Sequence, residues 1–107
     1  MDDLRAHTRL TGGYTSRNKS VQRLWKVLGQ LSVEQQASFL RFVTSCPRPP
    51  LLGFKSLNPV FTVHMVLVRN DNEKLPSAST CFNTLKLPTY SSAKVMKAKI
   101  VYAITSG

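Results

Sequence analysis

Three closely spaced prolines, Pro47, Pro49 and Pro50, separate two parts of the chain that differ in pattern. Proline lacks the backbone N–H that a helix uses, and it disfavours helical geometry in the residue before it. The helical pattern that precedes these prolines must therefore stop there. Beyond them, short apolar stretches are bounded by turn residues, which is typical of strands.

Residues 20–31 are predicted to form an amphipathic helix. Four apolar side chains recur at i, i+3, i+4 and i+7 and form one stripe: Val21, Leu24, Trp25 and Leu28. Asn18 or Ser20 can cap the start, and Gly29 marks the predicted end. Trp25 is interpreted as a core residue of this stripe.

A second helix is predicted to begin at Ser32. Gln35 follows three residues later, which is the capping-box spacing. One broad apolar face is formed by Ala37, Phe39, Leu40, Phe42 and Val43. Because the connection between the two helices is short, we expect them to pack as an antiparallel or steeply crossed pair.

Two extended stretches and a final helix are predicted in the second part. Phe61 to Val68 reads as a strand with apolar residues on both faces, which suggests that it is covered on both sides. Thr80 to Leu87 reads as a second extended stretch. A helix should begin at Ser91 or Ser92 and stop near Gly107, with a shared apolar face: Val95, Met96, Ile100 and Ile104.

These elements predict an α+β fold with two N-terminal helices, a small mixed β-sheet and a C-terminal helix packed on it. Residues 1–19 are polar and are predicted to be a loop that leads into a single domain at 20–107. No apolar run approaches the roughly 20 residues that cross a bilayer, and the acidic start is not expected to act as a signal peptide. We therefore expect no membrane contact and an intracellular location, in the cytoplasm, the nucleus or both.

The charge is strongly basic, with 15 Lys+Arg against 5 Asp+Glu and a net charge of +10. Such an excess is compatible with an acidic partner, either nucleic acid or an acidic protein surface. The basic residues are spread along the chain without a run of like charge, which favours ordinary solvated faces.

Two cysteines and two histidines are the residues of most chemical interest. Cys46 and Cys81 are too few for a disulfide scaffold, and neither lies at metal-ligand spacing from His7 or His64. We expect no metal and no cofactor. Because unpaired cysteine is among the most buried residue types, both cysteines read by themselves as core residues, and His64 reads as a structural histidine.

Five segments, taken together and in order, change that interpretation. They are Gly13-Tyr14-Thr15 ahead of Trp25, Phe39-Leu40-Arg41-Phe42-Val43 before Pro47-Arg48-Pro49, Gly53-Phe54 with Leu57-Asn58-Pro59, Leu75-Pro76-Ser77-Ala78-Ser79-Thr80-Cys81-Phe82-Asn83, and Leu85-Lys86-Leu87-Pro88-Thr89-Tyr90. These segments resemble those of the C-terminal lobe of HECT-type ubiquitin-protein ligases, and most closely those of the thyroid-receptor-interactor-like branch of that family.

The resemblance implies that Cys81 accepts ubiquitin from a ubiquitin-conjugating enzyme as a thioester and passes it to a substrate lysine. Four neighbours are implied to support the site: Ser79, Thr80, Phe82 and Asn83. Phe82 would pack against the opposite face, while Thr80 and Asn83 would supply hydrogen bonds near the thioester. Cysteine suits this exchange because it is nucleophilic even when only slightly ionised.

The partners implied are ubiquitin, protein substrates and a conjugating enzyme that docks on a larger N-terminal lobe. Residues 1–19 would then follow the hinge between the lobes, and we expect a monomer. The lobe alone should fold but be nearly inactive with a charged conjugating enzyme.

Three departures from the family pattern leave alternatives open. Ser79 stands where many members have His, and Lys86 stands where many have an acidic residue. Family members usually continue past the position of Gly107 into an aromatic or apolar tail, so this tail is either missing or lies outside this sequence. No general base is assigned. A non-catalytic domain that binds ubiquitin or another partner is the alternative that Ser79 and Lys86 leave open. A basic nucleic-acid-binding module is the alternative that the net charge of +10 leaves open.

Overall fold

The computed structural model describes residues 2–46 and 53–106. In chain order the elements are helix α1 (Asp2–Ala6), strand β1 (Arg9–Thr11), helices α2 (Lys19–Gln30) and α3 (Val33–Thr44), strands β2 (Thr62–Val66), β3 (Ser77–Ser79) and β4 (Thr84–Pro88), and helix α4 (Ala93–Ser106). Short 3-10 turns lie at Phe54–Ser56 and Thr80–Phe82. The α+β fold with a small mixed sheet and a C-terminal helix is confirmed.

The caps of α2 and α3 follow from local chemistry. The Asn18 side chain accepts a hydrogen bond from the Ser20 N–H at 2.8 Å. The Ser32 hydroxyl accepts from the Gln35 N–H at 3.1 Å, and the Gln35 side chain accepts from the Ser32 N–H at 3.0 Å. The predicted capping box is therefore confirmed.

Helices α2 and α3 end at their C-termini in different ways. The predicted end of α2 at Gly29 is early, because the helix continues to Gln30 and stops where Leu31 turns into the core. Helix α3 ends at Thr44, and Ser45 adopts a left-handed conformation with φ 68°. The three prolines expected to stop α3, and the predicted stop at Gly107, lie outside the described residues.

Four strands form one mixed sheet in the order β1-β2-β4-β3. The pairs β1–β2 and β2–β4 are parallel, and β3–β4 is antiparallel. The loop predicted for residues 1–19 is wrong, because this segment contains α1 and contributes the edge strand β1. A parallel partner far along the chain, rather than local apolar periodicity, makes Arg9–Thr11 a strand.

The two faces of the sheet differ. Val63, Leu85 and Leu87 are fully buried against the helices, in one core with Leu24, Phe39 and Met96 on the helix side. On the opposite face two register rows are polar, and we call these two rows the open sheet face: Arg9, Thr62, Thr84 and Ser79 in the first row, and Thr11, His64, Lys86 and Ser77 in the second. Val66 and Pro88 form a third, apolar row beyond them.

The expectation that Phe61–Val68 is covered on both sides is therefore wrong. His64 is exposed on the open sheet face, and Leu67, beyond the end of β2, is 79% exposed. The sheet thus has one helix-covered face and one polar face, which is the usual arrangement when helices are segregated to one side.

Helix α4 closes the core on the helix side. Ser92 caps it, since its hydroxyl accepts from the Val95 N–H at 3.2 Å. Met96, Ile100 and Ile104 are buried as predicted, and Val95 is half-buried. Among the described residues no helix is long and apolar enough to cross a membrane.

Two buried tyrosines tie loops to the end of β4, and one of these loops leads into β3. The Tyr90 hydroxyl donates to the Lys74 carbonyl at 2.7 Å, and the Tyr14 hydroxyl donates to the Leu87 carbonyl at 2.9 Å. Asp71 accepts from the backbone and the hydroxyl of Ser91 at 2.9 and 2.6 Å, and these bonds hold the pKa of its carboxyl below the usual value. The segment before β3 is therefore anchored to the end of β4.

Removing the Tyr90 hydroxyl should make the free energy of unfolding decline less steeply at alkaline pH. Burial, and next the charge of Asp71, raises the pKa of Tyr90 to about 12, against about 10 in an unfolded chain. The folded state holds the Tyr90 proton more tightly than the unfolded chain does. The resulting contribution to the free energy of unfolding is fully present below pH about 10 and is lost as pH rises through about 12. Tyr90→Phe should cost about 1 kcal/mol at neutral pH and then decline less steeply than the unmodified chain. Urea denaturation across this pH range measures both effects.

The matched control is Tyr102→Phe, because Tyr102 is exposed on α4. It should leave the free energy of unfolding at neutral pH within about 0.5 kcal/mol. An alkaline decline of Tyr90→Phe as steep as that of the unmodified chain would contradict the proposed linkage.

Candidate active site

Cys81 lies in the connection of the β3–β4 hairpin. Ser79 pairs with Thr84, and the four residues between them are a 3-10 turn, Thr80–Phe82, followed by Asn83. The expectation of one extended stretch from Thr80 to Leu87 is wrong, because the chain turns sharply before β4 begins at Thr84. The turn exposes the Cys81 side chain to solvent.

Asn83 shapes this turn. Its backbone is left-handed, with φ 50° and ψ 43°, a conformation that asparagine tolerates better than most residues with a Cβ. Its side-chain amide donates to the Pro59 carbonyl at 2.7 Å, and its own carbonyl accepts from the Thr62 N–H at 3.0 Å. Asn83 is 7% exposed. The turn is therefore fastened to the first residues of β2.

A buried aromatic pair lies beneath this junction. Phe39 on α3 and Phe61, just before β2, meet edge to face with ring centroids 6.3 Å apart. Both rings are buried, and α3 packs against the turn, β3 and β4. Such a pair contributes about 0.5–1.5 kcal/mol beyond its burial. The turn is thus supported by packing against the hydrophobic core.

The other predicted support residues surround Cys81 but differ in environment. Thr80 is exposed, and Ser79 is half-buried in the first row of the open sheet face. Phe82 is 64% exposed, so the packing expected of it against the opposite face is wrong. A 3-10 turn does not alternate its side chains as a strand does, which is why Phe82 leaves the core.

The two cysteines share an environment that the sequence did not predict. Cys46 and Cys81 are both free and exposed. The interpretation of Cys46 as a buried residue is therefore wrong, since it follows the end of α3, where its N–H donates to the Thr44 hydroxyl at 3.2 Å. No cluster of three or more candidate metal ligands occurs within residues 2–46 and 53–106.

His64 and Lys86 occupy neighbouring positions on the open sheet face, a feature that the sequence analysis missed. They are paired in register across β2 and β4, and both are exposed. The His64 Nδ1 lies 2.8 Å from the Thr11 hydroxyl oxygen. The sequence did contain a signal for this arrangement, because the polar residues Thr62 and His64 alternate with apolar residues in β2 and must share one face of the strand.

Fold and site together define an α+β domain that presents an exposed thiol on a fastened hairpin turn. The comparisons with known proteins agree with this class. The family model described as HECT-domain (ubiquitin-transferase) matches residues 1–107. The chain therefore belongs to the HECT-domain family.

Individual relatives carry matching names. The probable E3 ubiquitin protein ligase C167.07c of Schizosaccharomyces pombe is 44% identical over 107 residues, which is 100% of this chain and 10% of that protein. The E3 ubiquitin-protein ligase UPL6 of Arabidopsis thaliana is 42% identical over 109 residues, covering 99% and 11% respectively. The E3 ubiquitin-protein ligase TRIP12 of Danio rerio is 44% identical over 98 residues, covering 89% and 5%. The chain thus spans about a tenth or less of the length of these relatives.

Two substitutions of Asn83 should separate its side-chain bond from its backbone conformation. Asn83→Gly keeps easy access to positive φ but removes the side-chain donor to the Pro59 carbonyl, a part-buried bond whose loss should cost about 1 kcal/mol. Asn83→Ala loses the same bond and also strains the backbone, so it should cost about 1 kcal/mol more. Chemical denaturation measures both, and equal stabilities of the two variants would contradict the role of the left-handed conformation.

Proposed function

We propose that this chain is the catalytic C-terminal lobe of a HECT-type ubiquitin ligase and that Cys81 is its ubiquitin-accepting thiol. The exposed sulfur on a fastened hairpin turn is the observation that carries the proposal. A thiol that must receive the C-terminus of another protein has to be reachable by an extended peptide. Membership of a family described as ubiquitin-transferase supports ubiquitin as that protein.

Two exchanges at one carbonyl carbon account for the reaction. In the first, the Cys81 thiolate attacks the thioester carbonyl on the conjugating enzyme, a new C–S bond forms, and the old C–S bond breaks. The conjugating enzyme's sulfur leaves and takes up a proton, which balances the one lost by Cys81. Because one thioester replaces another, the free-energy change of this step is small, and nothing is oxidised or reduced.

In the second exchange the uncharged amine of a substrate lysine attacks the Cys81 thioester. A C–N bond forms, the C–S bond breaks, and Cys81 leaves as a thiolate while the nitrogen gives its proton to a solvent base. We assign no side chain of the described residues to that base. The amide product is more stable than the thioester, so this step favours the product.

The neighbours of Cys81 divide into positioning and contact residues in this proposal. Asn83 fixes the turn, so it acts through the backbone around Cys81. Thr80 and Ser79 flank the thiol with hydroxyl groups. Phe82 offers an exposed ring next to the thiol, which suits contact with an apolar segment of the incoming protein.

The alternatives receive less support. An exposed thiol has no evident part in a basic nucleic-acid-binding module. A non-catalytic binding domain would not require the thiol to reach solvent, yet Cys81 does so. The proposal places the protein in the cytoplasm or nucleus, with ubiquitin, a conjugating enzyme and protein substrates as partners.

Cys81→Ala should abolish ubiquitin loading. The complete protein that carries this chain is incubated with activating enzyme, conjugating enzyme, ATP and ubiquitin, and a reductant-sensitive adduct is sought on non-reducing gels. Cys46→Ala is a close control, because Cys46 is also free and exposed, and it should load normally. An adduct that survives Cys81→Ala and disappears with Cys46→Ala would reject the assignment.

Phe82→Ala should slow ubiquitin transfer without unfolding the domain. Phe82 is already exposed, so its removal should change the free energy of unfolding by no more than about 0.5 kcal/mol. Loss of an apolar contact in the complex should cost about 1.5 kcal/mol, or about tenfold in rate. Single-turnover loading and urea denaturation are measured on the same variant.

The control for Phe82→Ala is Val33→Ala, since Val33 is 84% exposed at the start of α3. This variant should change neither stability nor rate appreciably. If Phe82→Ala loads and discharges ubiquitin at the unmodified rate, Phe82 has no contact role.

A further inference from the structure

The open sheet face carries two exposed basic residues, and neither makes an ion pair within the described residues. Arg9 stands in its first row and Lys86 in its second, and both are exposed. The five acidic residues of the chain are Asp2, Asp3, Glu34, Asp71 and Glu73, none of which lies in a strand. Within residues 2–46 and 53–106 the sole ion pair joins His7 to Asp3.

The remaining members of the face are small or polar. The first row continues with the hydroxyl side chains of Thr62, Thr84 and Ser79, and the second has Thr11 and Ser77 at its two ends. A chain lying across such a surface would meet hydrogen-bonding groups and the two exposed basic side chains of Arg9 and Lys86. Electrostatic complementarity of this kind selects partners more than it adds raw affinity.

This face begins at the turn that holds Cys81. Ser79 and Thr84, which close the hairpin around the turn, belong to its first row. Lys86 lies two residues further along β4, or about 7 Å. Arg9 and Lys86 are two strands apart and one row apart, which places their Cα atoms roughly 12 Å from each other. An extended segment covers that distance with three or four residues.

We propose that the open sheet face receives the acceptor segment of the substrate and favours acidic residues within a few positions of the attacking lysine. This inference rests on the proposed function, because it names the class of acceptor that discharges the Cys81 thioester. Arg9 and Lys86 act as specificity determinants for the second exchange. Charge complementarity selects an acidic protein segment as the occupant.

The test measures discharge separately from loading. The complete protein is loaded with ubiquitin on Cys81, the loading reaction is stopped, and one of three synthetic peptides is added. Each peptide has a single lysine, flanked by glutamates, glutamines or arginines. The loss of thioester and the gain of ubiquitinated peptide are followed in a single turnover and normalised to the thioester present at the start.

The glutamate-flanked peptide should react about three to ten times faster than the glutamine-flanked one, and the arginine-flanked one should be slowest. The difference should largely vanish at about 1 M salt, where exposed charges are screened. Lys86→Glu should reverse the order, Arg9→Glu should shift it in the same direction, and Lys86→Gln should weaken it. Lys26→Glu, on the outer side of α2, is a matched reversal that should leave the order intact.

Equal discharge to the three peptides, or an order unchanged in Lys86→Glu, would overturn this inference. A Lys86→Glu variant that loads slowly but shows no altered peptide preference would also overturn it, and would assign the face to ubiquitin or the conjugating enzyme. Failure of the proposed function has a different signature, since no reductant-sensitive adduct would form on Cys81 at all. Polyanionic nucleic acid that binds this face at physiological salt and leaves peptide discharge unaffected would likewise reject it.

Discussion

The placement of the candidate thiol depends on the pair of hydrogen bonds that Asn83 makes to the start of β2. One uses its side chain and reaches Pro59, and the other uses its carbonyl and receives the Thr62 N–H. Both come from a residue in the left-handed region, so conformation and anchoring are supplied at a single position. Because Phe61 lies next to Thr62 and packs on Phe39, the turn is held in place by the core. An exposed thiol is thereby combined with an anchored backbone, which would limit the entropy lost when a partner's chain is aligned with it.

The unequal faces of the sheet determine where a protein-sized partner can approach. Helices α2, α3 and α4 contribute apolar side chains to the covered face, where Val63, Leu85 and Leu87 are fully buried. That side carries the stability of the domain, since burial of apolar area is the main favourable contribution to folding. The polar face can therefore be used for contacts without exposing the core. In the hairpin turn Cys81 is reached from solvent, while Asn83, Phe39 and Phe61, which hold the turn in place, stay buried.

Those features that depend on local sequence were predictable, and those that depend on distant partners were not. The capping box at Ser32 and the apolar stripes of α2 and α4 follow from residues within one or two turns of each other. Strand β1 exists because it pairs with β2, more than 50 residues away, and three residues cannot reveal this by periodicity. The turn at Cys81 likewise depends on Pro59 and Thr62, which anchor Asn83. Cys81 itself was singled out by family resemblance, because residue type alone favours burial for a cysteine.

Exchange between thioesters makes few chemical demands on the surrounding side chains. It needs a nucleophilic sulfur that another chain can reach, and Ser79 and Lys86 do not remove that, although they replace groups found at these positions in many family members. The selectivity of such a reaction must then come largely from surfaces that orient the partners around the sulfur. In this chain the surface next to the turn combines hydroxyl groups with Arg9 and Lys86 and lacks carboxylates in its strands. Under the proposed function, a charge pattern placed there would change which acceptor is aligned with the thioester, whereas the same charges on the outer side of α2 would affect only solubility and long-range attraction.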